Sequence, residues 1–228
     1  MEAHFLTATK AFLASIPLCL ITNWDKISFS AISKEVLVNE RKAKKLARKV
    51  AIDSSVFDQT GCASPHNLYI ERGGKISPRE FCELLADGMK KSAIQIPKGT
   101  DSVEQISAIH SIRGLYDFKG EVWASEDSTW TVLYSEDKNL NPPVYSRVIM
   151  VHPVDHIDET LNYVDDNIQT IGLASSGSKA LLFAEKAVEK GVMRCPEIGR
   201  MLNFESPWDG IFLMDRMVRW STFGGPLV

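Results

Sequence analysis

Val56-Phe57-Asp58-Gln59-Thr60-Gly61-Cys62-Ala63-Ser64-Pro65-His66 separates a helix-patterned stretch from a strand-patterned one, and its reading decides the fold. A cysteine follows a glycine at this break, flanked by small and polar residues. Such a setting leaves the thiol reachable and lets neighbouring backbone N–H groups point at a reacting carbonyl oxygen. A thiolate is the nucleophile that a thioester or aldehyde substrate requires, and oriented amide dipoles favour it over the thiol. The competing reading is a buried loop cysteine that packs as a small hydrophobe. Local sequence leaves both open.

Working outward, the hydrophobic period alternates between helix and strand, which predicts a mixed α/β fold. Upstream, Lys26 to Ser33 alternates as a strand. Glu35 to Val50 returns to helical spacing, with Val36, Ala43, Leu46, Ala47 and Val50 inward. Further back, His4 to Ile16 reads as a helix stopped by Pro17, and Leu18 to Thr22 as a buried strand. Downstream, Asn67 to Glu71 is a strand, and Ser77-Pro78-Arg79-Glu80 is a capping-box helix start. That helix should run to about Ser92, and another from Asp101 to about Tyr116. Strands follow at Glu121–Ala124, Thr129–Tyr134 and Tyr145–His152. Next come a helix near Asp158–Val164, a strand at Ile168–Leu173 and a helix at Ser178–Lys190. Gly191 stands where a C-terminal cap belongs. Ile211 to Trp220 is a closing amphipathic helix.

Composition sets limits. The 228 residues carry 26 basic and 29 acidic side chains, a net charge of −3, and 44% hydrophobic residues. That balance gives no support for nucleic acid as the partner, since such binders carry a basic excess or stripe. The longest apolar stretches, such as Ile16 to Ile21, fall far short of the roughly 20 residues that span a bilayer. Cysteines at 19, 62, 82 and 195 lack the spacing of a disulfide framework or a zinc site. A cytoplasmic, reduced setting is expected, with no metal.

Asp58-Gln59-x-x-Cys62-x-Ser64-Pro65, followed by a strand ending in Glu71, resembles the active-site segment of the long-chain fatty acyl-CoA reductases of the bacterial luminescence system, within the aldehyde dehydrogenase superfamily. Three further pieces come in that family's order. Trp24 to Phe29 is similar to its strand ahead of the long helix, and Ile168-Gln169-Thr170-Ile171-Gly172-Leu173 to its late strand. Arg194-Cys195-Pro196-Glu197-Ile198-Gly199-Arg200, then Trp208-Asp209-Gly210 and Arg219, looks like its C-terminal run. The resemblance implies an aldehyde-dehydrogenase-like catalytic domain, a mixed or parallel sheet flanked by helices. Cys62 would attack the thioester of a fatty acyl-CoA, or accept the acyl group from an acyl-transferring partner protein. NADPH would reduce the acyl-cysteine to the aldehyde, with the Cys62 N–H among the oxyanion donors. The full enzyme of this kind is expected to be an oligomer.

The chain also departs from the pattern. The superfamily places most of its dinucleotide-binding domain ahead of the nucleophile, and the stretch before Cys62 is far too short to hold it. No G-x-G-x-x-G or P-loop occurs among the 14 glycines to replace it. The expected organisation is therefore 1–55 as the C-terminal remnant of the cofactor domain and 56–228 as the catalytic domain with its C-terminal segment. Met1, opening straight into an apolar segment, is then expected to mark a truncation. Ser28 stands where the superfamily has its general-base glutamate. A catalytically inactive remnant or interaction module of the same fold is the alternative, and another thiol-dependent acyl transferase a third reading.

Other candidates have ordinary explanations beside functional ones. His66 could polarise the thiol or simply be hydrogen-bonded in its turn. His152-Pro153-Val154-Asp155-His156 has a His-x-x-x-His spacing, but Pro153 argues against the continuous helix a zinc pair needs. The basic run Arg41 to Lys49 fits the solvated face of a helix, or an attraction for the phosphates of coenzyme A or NADPH. Ser175 to Ser178 suits either an anion at a helix N-terminus or a plain cap. Cys19 and Cys82 read as core residues, and Cys195 has no partner for catalysis.

Overall fold

The computed structural model describes residues 26–208 together with 210, 212 and 218. The expected helix His4–Ile16, the strand Leu18–Thr22 with Cys19, and nearly all of the expected helix Ile211–Trp220 lie outside the described residues. Strand β1 (Ile27–Ile32) leads through a 3-10 turn at Lys34–Val36 into α1 (Glu40–Asp53). Then come β2 (Pro65–Glu71), α2 (Pro78–Gln95), α3 (Val103–Lys119), β3 (Glu121–Ala124), β4 (Thr131–Tyr134) and β5 (Val148–Val154). A 3-10 helix (Ile157–Tyr163), β6 (Ile168–Ala174) and α4 (Gly177–Glu189) complete the order.

The six strands form one sheet in the order β3-β4-β5-β2-β1-β6. Only the β3–β4 pair is antiparallel; the other four pairings are parallel. Parallel strands covered on both faces read as near-continuous apolar runs, and β2, β5 and β6 are buried at every position. On one face, α1 and α2 pack over Ile32, Leu68, Ile70, Val132, Ile149 and Val151. On the other, the 3-10 helix and α4 cover Phe29, Ala31, Tyr69, Ile171 and Leu173, and α3 covers Leu133, Val148 and Met150. Helices α1 and α2 approach closely because residue 88 is glycine: a Cβ there would lie 3.1 Å from the Ala47 carbonyl oxygen.

The sheet places β1 between β2 and β6, so residues on both sides of the expected boundary at 55 share one core. One helix starts later than its periodicity predicts. Asn39 caps α1 by accepting the Lys42 N–H at 2.9 Å, four residues after the expected start at Glu35. Val36 and Leu37 belong instead to the preceding turn, where Leu37 still reaches the core. The capping box at Ser77 and Glu80 forms as expected, with both reciprocal hydrogen bonds made. Among the described residues no helix is long and apolar enough to cross a membrane.

Candidate active site

Cys62 sits at the N-terminal end of β2, in a turn closed by the Ser64 N–H donating to the Gly61 carbonyl at 2.9 Å. The thiol is exposed, while Ala63, Ser64 and Pro65 directly behind it are buried. The thiol is thus displayed on an anchored base. From β1, the Ser28 hydroxyl donates to the Cys62 carbonyl at 2.8 Å. Ser28 is in register with Pro65 of β2 on one side and Thr170 of β6 on the other, so three strand starts converge beneath the cysteine. Leu202 leans over the turn: a Cβ on Gly61 would lie 3.2 Å from its Cδ2 and from Ser64 Oγ.

The approach to this turn has unusual backbone. Phe57, Asp58 and Gln59 take left-handed φ values of 54, 49 and 63°, and Tyr145, Ser146 and Arg147 do the same at 63, 57 and 64°. Such residues cost roughly 1–3 kcal/mol each and persist only where surroundings over-determine them. Here the two trios hold each other. Asp58 accepts from Arg147 Nε at 2.7 Å, pairs with its terminal nitrogen at 2.6 Å, and accepts the Gly99 N–H at 2.9 Å. The Ser146 N–H donates to the Asp58 carbonyl at 3.0 Å. Gln59, fully buried, donates to the Pro65 and Val148 carbonyls at 2.8 and 3.0 Å.

Residues singled out in the sequence separate clearly. His66 lies on β2, buried, with its ring edge-on to Tyr145 at 5.0 Å. Burial lowers its pKa to about 4, so it is neutral at pH 7, and its Nδ1 has no hydrogen-bond partner among the described residues. His152 is buried on β5 between the Asp137 carbonyl (2.6 Å) and the Asn67 side chain (3.0 Å), its pKa also lowered to about 4 by burial. His156 is exposed at the cap of the 3-10 helix, near Glu71. The His-x-x-x-His pair therefore serves two separate places. Arg41, Lys42, Lys45 and Arg48 form the exposed face of α1. Lys49 of the same run pairs with Glu197. Cys82 is a core residue whose thiol pKa burial pushes up, and Cys195 is half-buried with its pKa raised to about 11 by the same cause. Ser176 stands at the N-cap position of α4 without a side-chain capping hydrogen bond, and Lys179 of that helix is occupied by Glu71 (2.7 Å) and Glu35 (3.0 Å).

The family-like C-terminal run is built along β6. Ile171 and Leu173 N–H groups donate to the Arg194 and Pro196 carbonyls at 3.0 and 2.8 Å. Arg194 holds the Met201 and Asn203 carbonyls and stacks on Trp208, its guanidinium 4.1 Å from the ring centroid. Gly172 lets Met201 approach; a Cβ there would meet its sulfur at 2.4 Å. At the end of α1, Asp53 accepts the Gly199 N–H at 2.5 Å. Burial raises its pKa to about 7 against the opposing pull of the Gly199 and Met201 amides.

Comparison with known proteins accounts for this arrangement. The model of the acyl-CoA reductase (LuxC) family matches residues 16–220. The chain belongs to this family. A long-chain acyl-protein thioester reductase of Vibrio harveyi is 29% identical over 150 residues, covering 63% of this chain and 31% of that protein. The protein of the same name from Aliivibrio fischeri is 28% identical over 155 residues, covering 67% and 32%. The chain thus spans about a third of the length of the curated relatives it matches. Among solved structures, an NAD-dependent aldehyde dehydrogenase from Burkholderia multivorans matches with a TM-score of 0.59 at 15% identity, covering 76% of this chain and 36% of that one. A 1-pyrroline-5-carboxylate dehydrogenase variant from Thermus thermophilus gives 0.53 at 16%, covering 76% and 36%. The fold is therefore that of an aldehyde dehydrogenase, as the sequence led one to expect.

The setting of Cys62 can be read in the sequence, whereas its supports cannot. Ser28 stands where the resemblance implies a glutamate; its hydroxyl donates to a backbone carbonyl, a positioning contact rather than that of a base. Arg147 reads in the sequence as part of a strand start. Its one signal is an arginine beside a long apolar run, which sequence alone cannot pair with Asp58. Among the described residues no turn carries the glycine fingerprint of a dinucleotide site. The turns that leave β2 and β6 for helices, Arg72-Gly73-Gly74-Lys75 and Ser175-Ser176-Gly177, lack the glycine spacing that cradles a pyrophosphate.

Proposed function

We propose that this chain carries the thioester-forming half of a fatty acyl reductase, with Cys62 as the group that accepts the acyl chain. The observation that carries the reading is the exposed Cys62 on a turn pinned by Ser28, in a chain matched over residues 16–220 by the acyl-CoA reductase family. The Cys62 thiolate attacks the thioester carbonyl, the C–S bond to the departing thiol breaks, and an acyl-cysteine remains. The departing sulfur leaves as a thiolate, so the exchange needs no strong proton donor, in keeping with a neutral, buried His66.

The substrate would be a long-chain acyl thioester, on coenzyme A or on an acyl-transferring protein; the relatives are named for the acyl-protein form. The solved neighbours are NAD-dependent aldehyde dehydrogenases, which supports a nicotinamide reductant, NADPH being the expected form. No reduction step is assigned to the described residues. The division into a cofactor-domain tail before residue 55 and a catalytic portion after it, a cytoplasmic setting and an oligomeric full enzyme belong to this reading.

Radiolabelled tetradecanoyl-CoA should label the protein in a hydroxylamine-sensitive bond, and Cys62→Ser should abolish the label. Equal labelling of both proteins would falsify the nucleophile. The second reading, a non-catalytic module of the same fold, is favoured by the unsuitable turns after β2 and β6. NADPH fluorescence titration separates the two, since micromolar binding by this chain contradicts an inactive module.

A further inference from the structure

The geometry points to Arg147 as a positioning residue for Cys62, acting through Asp58. This rests on Cys62 being the acyl-accepting group.

Asp58 lies shortly before Cys62 in the chain, and Arg147 lies 89 residues beyond Asp58 at the start of β5. Arg147 is among the largest fully buried side chains, only 1% exposed. A buried guanidinium requires an ionic partner and filled donor positions. Both come from this contact: Nε and one terminal nitrogen go to the Asp58 carboxylate, and the other terminal nitrogen donates to the Ile96 carbonyl at 2.8 Å. Arg147 thus ties together three segments, the Cys62 approach, the end of α2 and the start of β5.

Two guanidinium nitrogens converge on one Asp58 oxygen, Oδ1, while Oδ2 accepts the Gly99 N–H, so the carboxylate is held from both sides. Asp58 is the middle residue of the left-handed trio Phe57–Gln59, and its own carbonyl is held by the Ser146 N–H. Backbone and side chain of this one residue are therefore clamped by the second trio, Tyr145–Arg147. Gln59 adds a parallel tie to the Val148 carbonyl. Released from the clamp, residues 57–59 would relax toward right-handed backbone, and the following Thr60-Gly61-Cys62 would swing from its base. Ser28 holds Cys62 from the β1 side; Arg147 holds the approach from the β5 side. Together they set the line along which the sulfur meets a carbonyl carbon.

Small misplacements of a reacting group cost on the order of 100-fold in rate. Arg147→Ala is accordingly expected to lower the saturating rate of Cys62 acylation by tetradecanoyl-CoA by about 10- to 100-fold. Arg147→Lys, with one cation and no fork, should fall between it and the wild type. The half-saturating acyl-CoA concentration and the rate of Cys62 alkylation by iodoacetamide should both stay within about twofold, because a small reagent with no binding site makes no demand on direction. Circular dichroism and urea midpoints establish that each variant is folded. If Arg147→Ala does not fold, Asp58→Asn carries the same test, since it removes the charge and keeps the size.

Acylation at the wild-type rate in a folded Arg147→Ala or Asp58→Asn protein overturns the positioning role. So does a proportional fall in acylation and alkylation, which would make the effect general to the thiol. Cys62→Ser, run alongside, separates the two claims. Its failure to abolish labelling overturns the nucleophile and the positioning role together, whereas loss of label with an unaffected Arg147 variant overturns the positioning role alone.

Discussion

The Ser28 hydroxyl donates a 2.8 Å hydrogen bond to the carbonyl oxygen of Cys62, joining the first residues of β1 to the turn that carries the cysteine. The contact bears on two things at once, the energy of the turn and the aim of the thiol. A hydrogen bond of this kind contributes about 0.5–1.5 kcal/mol. Ser28→Ala should therefore lower the unfolding free energy by about 1 kcal/mol and slow acylation severalfold, with iodoacetamide alkylation nearly unchanged. Urea titration and the acyl-labelling time course read the two effects separately. An acylation rate equal to wild type would show that the hydrogen bond has no part in aiming the sulfur.

Gln59 tests how the approach is tied down. Its amide donates to the Pro65 and Val148 carbonyls while the side chain is fully buried. Gln59→Met keeps much of the volume and leaves those two carbonyls without their donor, at a cost of about 1–3 kcal/mol each at most. A loss of about 2 kcal/mol is expected from the urea titration. A shift under about 0.5 kcal/mol would mean that the carbonyls find other donors.

Gly172 lies on β6 beneath Met201 and beside Ser30. A Cβ would meet the Met201 sulfur at 2.4 Å and Ser30 Oγ at 2.8 Å, so the 194–203 segment must lift or the strand must shift. Gly172→Ala should destabilise by about 1–3 kcal/mol, the usual cost of overpacking. Because methionine is flexible, Met201→Ala in the Gly172→Ala background should recover part of that loss. The double mutant being additive would place the strain elsewhere.

Three buried groups set the pH dependence of stability. Asp53, with its pKa raised to about 7, keeps its proton in the fold and loses it in the unfolded chain, so its contribution declines as pH rises toward 7. His66 and His152, lowered to about 4, are neutral in the fold and protonated in the unfolded chain below about 6.5; their contribution grows as pH rises. Between about pH 5 and 6.5 the two histidines outweigh the one carboxyl. Stability should increase by about 1 kcal/mol per pH unit near pH 5, and the slope should flatten toward pH 6.5 as the unfolded-state histidines lose their protons. Asp53→Asn removes the opposing term and should roughly double the slope. A slope unchanged by the substitution would show that Asp53 is already ionised in the fold.

Much of this architecture could be read from the chain, and the misses share a cause. Ser77 and Glu80 announce a helix start through contacts within one helical turn, which sequence displays directly. The strand periods of β1, β2 and β6 survive because the sheet covers both their faces with apolar neighbours. The helical stripe begins at Val36, ahead of α1, although Asn39 is the residue with the right side chain to cap the helix. At the site, Cys62 and its flanks were legible because a glycine, a cysteine and a proline share a few positions. Arg147 was not, since the left-handed conformation of Tyr145–Arg147 arises from a partner 89 residues away. Nothing in those residue types demands it. His66 was read in a turn and lies instead in β2, because the strand begins ahead of its apolar run, at Pro65.

The placement of β1 also has a consequence for synthesis. Its Ile27 pairs with Ile168 of β6, so well over half of the chain separates the two partners. At about 5–20 residues per second, a ribosome would take roughly 7–28 s to deliver the second edge after the first. Throughout that interval the flank of β1 that later faces β6 would present unpaired N–H and C=O groups on a nascent chain, open to strands of other molecules. Slower translation ahead of Ile168 should therefore lengthen the exposure and lower the yield of soluble protein, whereas a holdase that covers extended backbone should restore it.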